Sequence, residues 1–459
     1  MMVSPLTMVS RAPSKQLLLG LFCLIAMLPI GRTALSATGE PSDARPPVTL
    51  TLPHAIDLAL KNNPRIRMIG KDVETEVYNL RVAKAERMPR VDLTSGVTRS
   101  RYPMPLTPIV IESRSIGGLD IPRFERTIYD AGAILRLPLY RGGRLQRNVA
   151  VAELRKAMAE DNLQFAREDL IYNVASVYHK VLQLEQQKAT SDATVKQLEA
   201  HRRDVESLYR TGSVPYLDLV KTDVELAHAI QNRLQAENNL VSSHELLRTL
   251  IGVENVEWSP VLNRPPAEEP VCLSLNGCRQ VARDNRADMK ALRRRLQIGQ
   301  ERVMIAQGKR YPEVSLAGGY VDRSGTDFEY KENWDVGVRM AVPLFDGGLI
   351  RAELAREKNE LAKLKEEERG LNLTIEREVK DAFLAFENAR TRIGVAETAV
   401  SSAKENLRVE DLKYRVGSST NTDVIDAQTA MERAETDLWQ ARFDRDTAVA
   451  ALKRAVGAK

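Results

Sequence analysis

After Gly348 a helical pattern runs to about Val416 without a proline. That is roughly 67 residues, or about 100 Å of helix at 1.5 Å per residue. No compact domain encloses such a rod, so it must lie along other helices. Ala382, Phe386, Ala389, Ile393, Ala396, Val400, Ala403 and Leu407 step along it by alternating fours and threes, the spacing of a coiled-coil seam. The small residues in the seam allow close helix approach. The helix that follows, about Asn421 to Val456, is roughly half as long, as is an earlier one from about Pro215 to Ile251. Each rod therefore needs two shorter helices stacked end to end beside it. The segments from about Pro53 to Glu86 and from Gln280 to Gly308 have the length to supply the other halves, and Pro53 suits a first helical turn.

The plan is written twice. Subtracting 205 carries Pro343, Leu344, Gly347 and Gly348 onto Pro138, Leu139, Gly142 and Gly143, and carries Tyr414, Arg415, Gly417, Ser418 and Asp423 onto Tyr209, Arg210, Gly212, Ser213 and Asp218. Such fixed-period identity marks an internal repeat. Upstream the offset is 223, taking Pro312, Val314, Leu316 and Gly319 back to Pro89, Val91, Leu93 and Gly96. The first copy thus holds 18 extra residues, the difference between the two offsets, and the stretch beginning at Pro103 reads as the extended loop that contains them. Each half is expected to run helix, strand, loop, strand, long helix, turn, helix. The boundaries drawn are a first repeat over 38–257 with a hairpin at about 90–140, a linker over 258–279, and a second repeat over 280–459 with a hairpin at about 313–343. The linker is proline-rich and, with the Cys272 to Cys278 loop, is read as a belt around the rods at mid-height.

The strands alternate in chemistry. From Trp334 to Val342 one face carries Trp334, Val336, Val338, Met340 and Val342 and the other Asp335, Gly337, Arg339 and Ala341. The partner copy sets Tyr129, Ala131, Ala133, Leu135 and Leu137 against Asp130, Gly132, Ile134 and Arg136. Strands of about 9 to 11 residues with one apolar and one polar face suit a membrane barrel around a watery lumen, although a half-buried soluble sheet alternates likewise. Four strands cannot close a barrel, and open edges are not tolerated in lipid, so a membrane reading requires several chains to share one barrel.

The N-terminus has Arg11 and Lys15, an apolar run from Leu17 to Ile30, and small residues at Ala34 to Ala37. This reads as a cleaved secretory signal over 1–37; an uncleaved anchor would need about 20 apolar residues. Removing it takes Arg11, Lys15 and Arg32 and lowers the formal charge from +5 to about +2, with both signs interleaved, so nucleic acid is not indicated as a partner. Cys272 and Cys278 remain in a compartment where disulfides persist, and read as a disulfide closing a small loop, with two free thiols as the alternative.

His54, His179, His201, His228 and His244 lack the i, i+4 pairing of a zinc site and read as scattered surface residues, and no metal or cofactor is expected. Ser401 to Lys404 satisfies S-x-x-K but falls mid-helix beside the seam without its companion motifs. The pairs Gly142-Gly143 and Gly347-Gly348 follow strands but fit neither phosphate-loop pattern, and read with Pro138 and Pro343 as strand-to-helix turns.

The order of "LTLPHAIDLALKNNPRI", "RMPRVDL", "LPLYRGG", "RYPEVSL", "VPLFDGG" and the two glycine turns resembles the TolC-like outer-membrane efflux proteins, over nearly all of the mature chain. The resemblance implies a mainly helical fold with a small membrane β part: a homotrimer whose twelve-stranded barrel, four strands from each protomer, continues into a helical tunnel across the periplasm. It implies outer-membrane lipid around the barrel, with a periplasmic membrane-fusion adaptor and an inner-membrane RND or ABC transporter as partners. By the same resemblance Gly212, Ser213, Gly417 and Ser418 are the adaptor-docking tips, and Asp423 and Asp426, with Asp218 and Tyr414, form the entrance gate. Three copies of two aspartates would focus negative potential on a narrow pore, while Asp218 and Asp423 could instead complement helix N-terminal dipoles. The family pattern puts an arginine four residues before the first gate aspartate; here that residue is Ser419. A passive exit duct for small molecules is the expected function; alternatives are the same duct in type I protein secretion and a non-porous periplasmic coiled-coil scaffold. No catalytic residue is expected.

Overall fold

A computed structural model describes residues 49–107, 110–111, 119–120, 122–255, 260–266 and 268–458, with backbone alone at 110–111 and 119–120. The proposed signal at 1–37 and the start of the linker at 258–259 lie outside the described residues. In chain order the elements are β1 (Thr49–Leu50), α1 (Leu52–Asn62), α2 (Pro64–Ala85), β2 (Arg90–Pro105), β3 (Val110–Ile111), β4 (Leu119–Asp120), β5 (Phe124–Arg141), α3 (Arg144–Arg210), α4 (Tyr216–Ile251), β6 (Val261–Leu262), α5 (Leu275–Asn285), α6 (Ala287–Gly308), β7 (Glu313–Ser324), β8 (Tyr330–Ala341), α7 (Leu349–Arg415) and α8 (Asn421–Val456). The helices match in length between halves: 11 residues in α1 and α5, 22 in α2 and α6, 67 in α3 and α7, and 36 in α4 and α8.

The two long helices form the frame. α3 packs α4 along its turn-proximal half and α2 and α6 along its sheet-proximal half, while α7 packs α8 and α6; α3 and α8 also touch directly. The α7 seam faces α8, with Phe386, Ala389 and Ala396 buried. The single helix expected from Pro53 to Glu86 is two helices, and its counterpart begins earlier, at Leu275, and also breaks. Asn63 and Arg286 are the break residues, both with extended ψ near 124°.

At each break, one short helix meets the end of another. Asn63 Oδ1 accepts from the Arg65 and Ile66 amides at 2.9 and 3.4 Å and so caps α2. Its Nδ2 donates to the Leu250 carbonyl at 2.8 Å, satisfying an orphan acceptor at the end of α4. In the second half Arg286 Nη1 donates to the Ala455 carbonyl near the end of α8 at 3.3 Å. Its guanidinium, 7% exposed, also holds Asp288 and Glu378 at 2.6 Å each. The glycines that end α4 and α8, Gly252 and Gly457, have φ of 76° and 66° and lie against the backbone of these breaks, where a Cβ would collide.

The mid-height cores form at the same level. Tyr178, in the middle of α3, is fully buried and its hydroxyl lies 2.7 Å from the Leu50 carbonyl and 2.6 Å from that of Asn263. Those carbonyls belong to the parallel β1–β6 pair and its continuation, so the described part of the linker is pinned across the rods there. Cys272 and Cys278 are joined by a disulfide, and buried Cys278 packs with Met289, Val379 and Leu452.

At the other end lies a four-stranded antiparallel sheet in the order β2-β5-β7-β8. Register places Val91, Leu135, Gly318 and Val336 in one row and Leu93, Ala133, Tyr320 and Trp334 in another. The intervening rows hold Asp92, Ile134, Gly319 and Asp335, and Gly96, Asp130, Arg323 and Lys331. One face is thus apolar and the other charged. Leu93, Trp334, Val336, Val338 and Met340 are between 66% and 87% exposed.

The strands are longer than expected: β2 and β5 have 16 and 18 residues, β7 and β8 have 12 each. Part of the presumed loop from Pro103 is strand, because the ladder resumes beyond a register shift between Arg99 and Met104. Pro138 lies inside β5 at a register shift, where a missing amide is tolerated; Pro343 follows the end of β8. Gly142, Gly143, Gly347 and Gly348 all have positive φ and turn the chain into α3 and α7.

Replacing Arg286 strands two carboxylates at a buried break, a loss of about 3 kcal/mol. Denaturant unfolding of the detergent-solubilised protein should register that loss for Arg286→Met, and under about 1 kcal/mol for Arg283→Met, which breaks only an exposed pair with Glu376.

Candidate functional site: the helical tips

Where α3 turns into α4 and α7 into α8, the chain repeats one motif. The amides of Gly212 and Ser213 donate to the carbonyls of Tyr209 and Leu208 at 2.9 and 2.8 Å. Those of Gly417 and Ser418 donate to Tyr414 and Lys413 at 3.0 and 2.9 Å. Both are Schellman closures, which need a left-handed residue after the helix; Gly212 and Gly417 supply it at φ 72° and 77°. All four tip residues are exposed, and Val416, Tyr216 and Leu217 beside them present 59% to 78% of their surfaces.

The two aspartates on α8 differ. Asp423 closes a capping box with Thr420: its Oδ2 accepts from the Thr420 amide at 2.8 Å and hydroxyl at 2.6 Å, while its amide donates to Thr420 Oγ1 at 3.3 Å. The Thr420 hydroxyl and amide, then Ser419, hold the Asp423 carboxyl below its usual range. Asp426, one helical turn on, is exposed and has no hydrogen bond or ion pair among the described residues. Ser419 Oγ sits between two carboxylates, 2.7 Å from Glu410 Oε2 and 3.1 Å from Asp423 Oδ2.

Tyr414 is buried against Val205 and Val424, its ring 5.3 Å from that of His201. Its hydroxyl is buried without a hydrogen-bond partner. Burial first, then the fields of Asp218 and Asp204, pushes this phenol above its ordinary value. Asp218 is half-buried in the first turn of α4, and the two are coupled through charge rather than a bond.

The link between the helices at this level is one that sequence reasoning missed. Asn421, 1% exposed, donates through Nδ2 to the Asp218 carbonyl at 3.0 Å and to Thr222 Oγ1 at 3.1 Å. Its Oδ1 lies 2.6 Å from His201 Nε2. With both amide protons spent, the oxygen must accept, so His201 carries its proton on Nε2. α3, α4 and α8 are thereby tied through one side chain. His201 and His179 are buried rather than on the surface, whereas His54 and His228 are exposed. A weak signal for the junction was present: Asn421 directly follows the N-cap Thr420, where a polar residue needs no core partner, yet the helix beside it carries His201 at the same level.

With this geometry in view, the outer membrane efflux protein model matches residues 55–253 and 278–458. The chain belongs to the outer membrane efflux protein family. It is 24% identical over 413 residues to the outer membrane protein TolC of Vibrio cholerae, covering 87% of this chain and 89% of that protein. It is 23% identical over 424 residues to OprJ of Pseudomonas aeruginosa, covering 89% and 84%. Among solved structures, the outer-membrane channel OprN superposes with a TM-score of 0.77 at 19% identity, covering 89% of this chain and 90% of that one. The outer membrane protein VceC of Vibrio cholerae gives 0.75 at 20%, covering 89% and 96%. These structures share the fold of a barrel continued by helices, and family membership makes this chain an outer-membrane protein.

Asn421→Leu should leave His201 Nε2 without an acceptor and cost about 2 kcal/mol, read as faster amide hydrogen exchange across 412–424. Tyr414→Phe removes a hydroxyl that bonds nothing, so exchange there should stay at the wild-type rate; slower protection loss in Asn421→Leu than in Tyr414→Phe would contradict both assignments.

Proposed function

We propose that the protein is the exit duct of a tripartite efflux system, passing small molecules from a periplasmic adaptor and an inner-membrane pump to the exterior. The observation that carries this reading is the sheet: four strands, apolar on one face, charged on the other, with β2 and β8 each paired on one side only among the described residues. Lipid contains no water to satisfy such edges, so identical sheets joined edge to edge answer the constraint, and three give the twelve-stranded homotrimer. The helices support the same closure. Their lateral margins are α2 and α4 on one side and α7 on the other, and α7 exposes Leu384 and Val395 at 52% and 68%. Rods continuing such a barrel enclose a tunnel.

At the far end, the exposed tips at Gly212, Ser213, Gly417 and Ser418 dock the adaptor, with Val416, Tyr216 and Leu217 as apolar contacts. Asp426 supplies the ring of charge at the entrance, since its carboxylate has no partner among the described residues. Asp423 shapes the turn that presents it, and Asp218 and Tyr414 pack the helices behind. With no arginine at Ser419, the entrance is held shut by fewer ionic ties, and the Asn421 junction carries part of that load.

A photo-crosslinking residue at Ser418 in living cells should capture an adaptor protein: one belonging to a proton-driven pump supports small-molecule efflux, one belonging to an ATP-driven exporter moves the reading to protein secretion, and capture of nothing while control surfaces label removes the docking assignment. In planar bilayers, Ser419→Arg should lower resting conductance, because the new guanidinium enters between Glu410 and Asp423. Asp426→Asn should weaken cation preference more than Asp423→Asn does.

A further inference from the structure

Where α1, α3 and α8 cross at mid-height there is a cavity of about 350 Å3, within the size range of small-molecule sites. Leu52 and Ile56 of α1, Ala175 of α3, and Val449 and Ala450 of α8 give it apolar walls. Most charges at its rim are already matched. Lys453 is paired with Glu268, Arg454 with Asp169 at 2.9 Å, and Asp446 with Arg445.

Glu168 is the exception. It lines the cavity at 9% exposure; its Oε1 accepts from Gln164 Nε2 at 2.8 Å, and its Oε2 has no partner among the described residues. Burial pushes this carboxyl up, and the cations that act on it, Arg286 and Lys290, do so from beyond contact distance. Arg286 is moreover committed to Asp288 and Glu378. Of the remaining titratable wall groups, Tyr172 lies under the Arg454 guanidinium, and His179, 3.9 Å from Asp446, has an imidazole that burial holds below its ordinary range. At neutral pH it is uncharged and does not serve as the missing cation. A buried carboxylate without a counter-charge is costly, and an apolar chamber open beside it admits a ligand that brings one.

We propose that this cavity is a binding site for a primary amine with a compact apolar body, its ammonium paired with Glu168 and its body held between α1 and α8. An anion would meet the Glu168 carboxylate with no cation in contact to offset it, and a neutral hydroxyl could donate to Oε2 but would bring no counter-charge. The residues that line the cavity come from α1, α3, α8 and the linker with the chain end, and none from the margin helices α2, α4 and α7. The proposal does not depend on the duct reading.

The test is calorimetric titration of the full mature protein in detergent with 4-phenylbutylamine and its neutral analogue 4-phenylbutanol, which share one apolar body but differ in charge. The amine is expected to bind at least about tenfold more tightly than the alcohol, a difference of about 1.4 kcal/mol. Glu168→Gln, nearly isosteric, should erase that difference, and Ala450→Phe, which fills the chamber, should abolish binding of both while wild-type melting is retained. Equal binding of amine and alcohol, binding of neither, or an amine preference that survives Glu168→Gln would each overturn the proposal. Since Glu168→Gln alone decides the charge assignment, a misfolded Ala450→Phe does not spare it.

Discussion

A helix of 67 residues has no interior of its own, so the architecture depends on how its length is covered. Neither α2 nor α4 spans α3, and the two must meet partway. Because α2 ends at the sheet where α3 begins, and α4 begins at the turn where α3 ends, both run antiparallel to α3. The carbonyl end of α4 therefore faces the amide end of α2, and four orphan groups on each side must be satisfied in a buried place. Asn63 meets this need with one amide, its oxygen capping α2 and its nitrogen bonding the last turn of α4. The second half answers with two residues. Arg286 reaches the Ala455 carbonyl, and Asp288 both neutralises Arg286 and accepts from the Met289 amide at 2.8 Å. One chain thus solves the same junction with a neutral side chain and with an ion pair, and the ionic version brings Glu378 of α7 into the joint.

From the junction the rest follows in order. Stacking short helices on long ones fixes a layer whose sequence of neighbours, α2, α3, α6, α7, repeats that of the strands, β2, β5, β7, β8. Margins of the sheet and margins of the helices fall on the same sides. The α7 margin, on the side of β8, exposes the apolar side chains of Leu384 and Val395.

Period and repetition made much of this legible. The rods were visible because no proline interrupts them, and α8 from Asn421 to Val456 and the strand alternation were visible because burial on one side imposes a period. The break at Arg286 was hidden, since no proline follows it and its cause lies in Glu378 and Ala455, far along the chain. Pro64 does mark the equivalent break at Asn63, and was outweighed by the helical pattern on both sides. The burial of His201 is not legible in the sequence for the same reason: its partner, Asn421, is 220 positions away. Strand length was underestimated because β2 and β5 continue past the span that alternation delimits.

The tip shows why residue type alone did not separate the roles of two aspartates. Asp423 and Asp426 lie three apart on one helix, so both were candidates for the same ring of charge. Yet position three of a helix offers a carboxylate two backbone partners, and Thr420 takes up that offer. Asp423's charge is spent on the helix end and stays ionised to lower pH than an ordinary aspartate, because protonation would release the Thr420 bonds. Its contribution to the tip is thus present above the usual carboxylate range and is lost only as pH falls through its lowered value. Asp426 has no such bonds among the described residues. The same motif that ends one rod and begins the next thus spends one aspartate on the helix end and leaves the carboxylate of the other without a partner among the described residues.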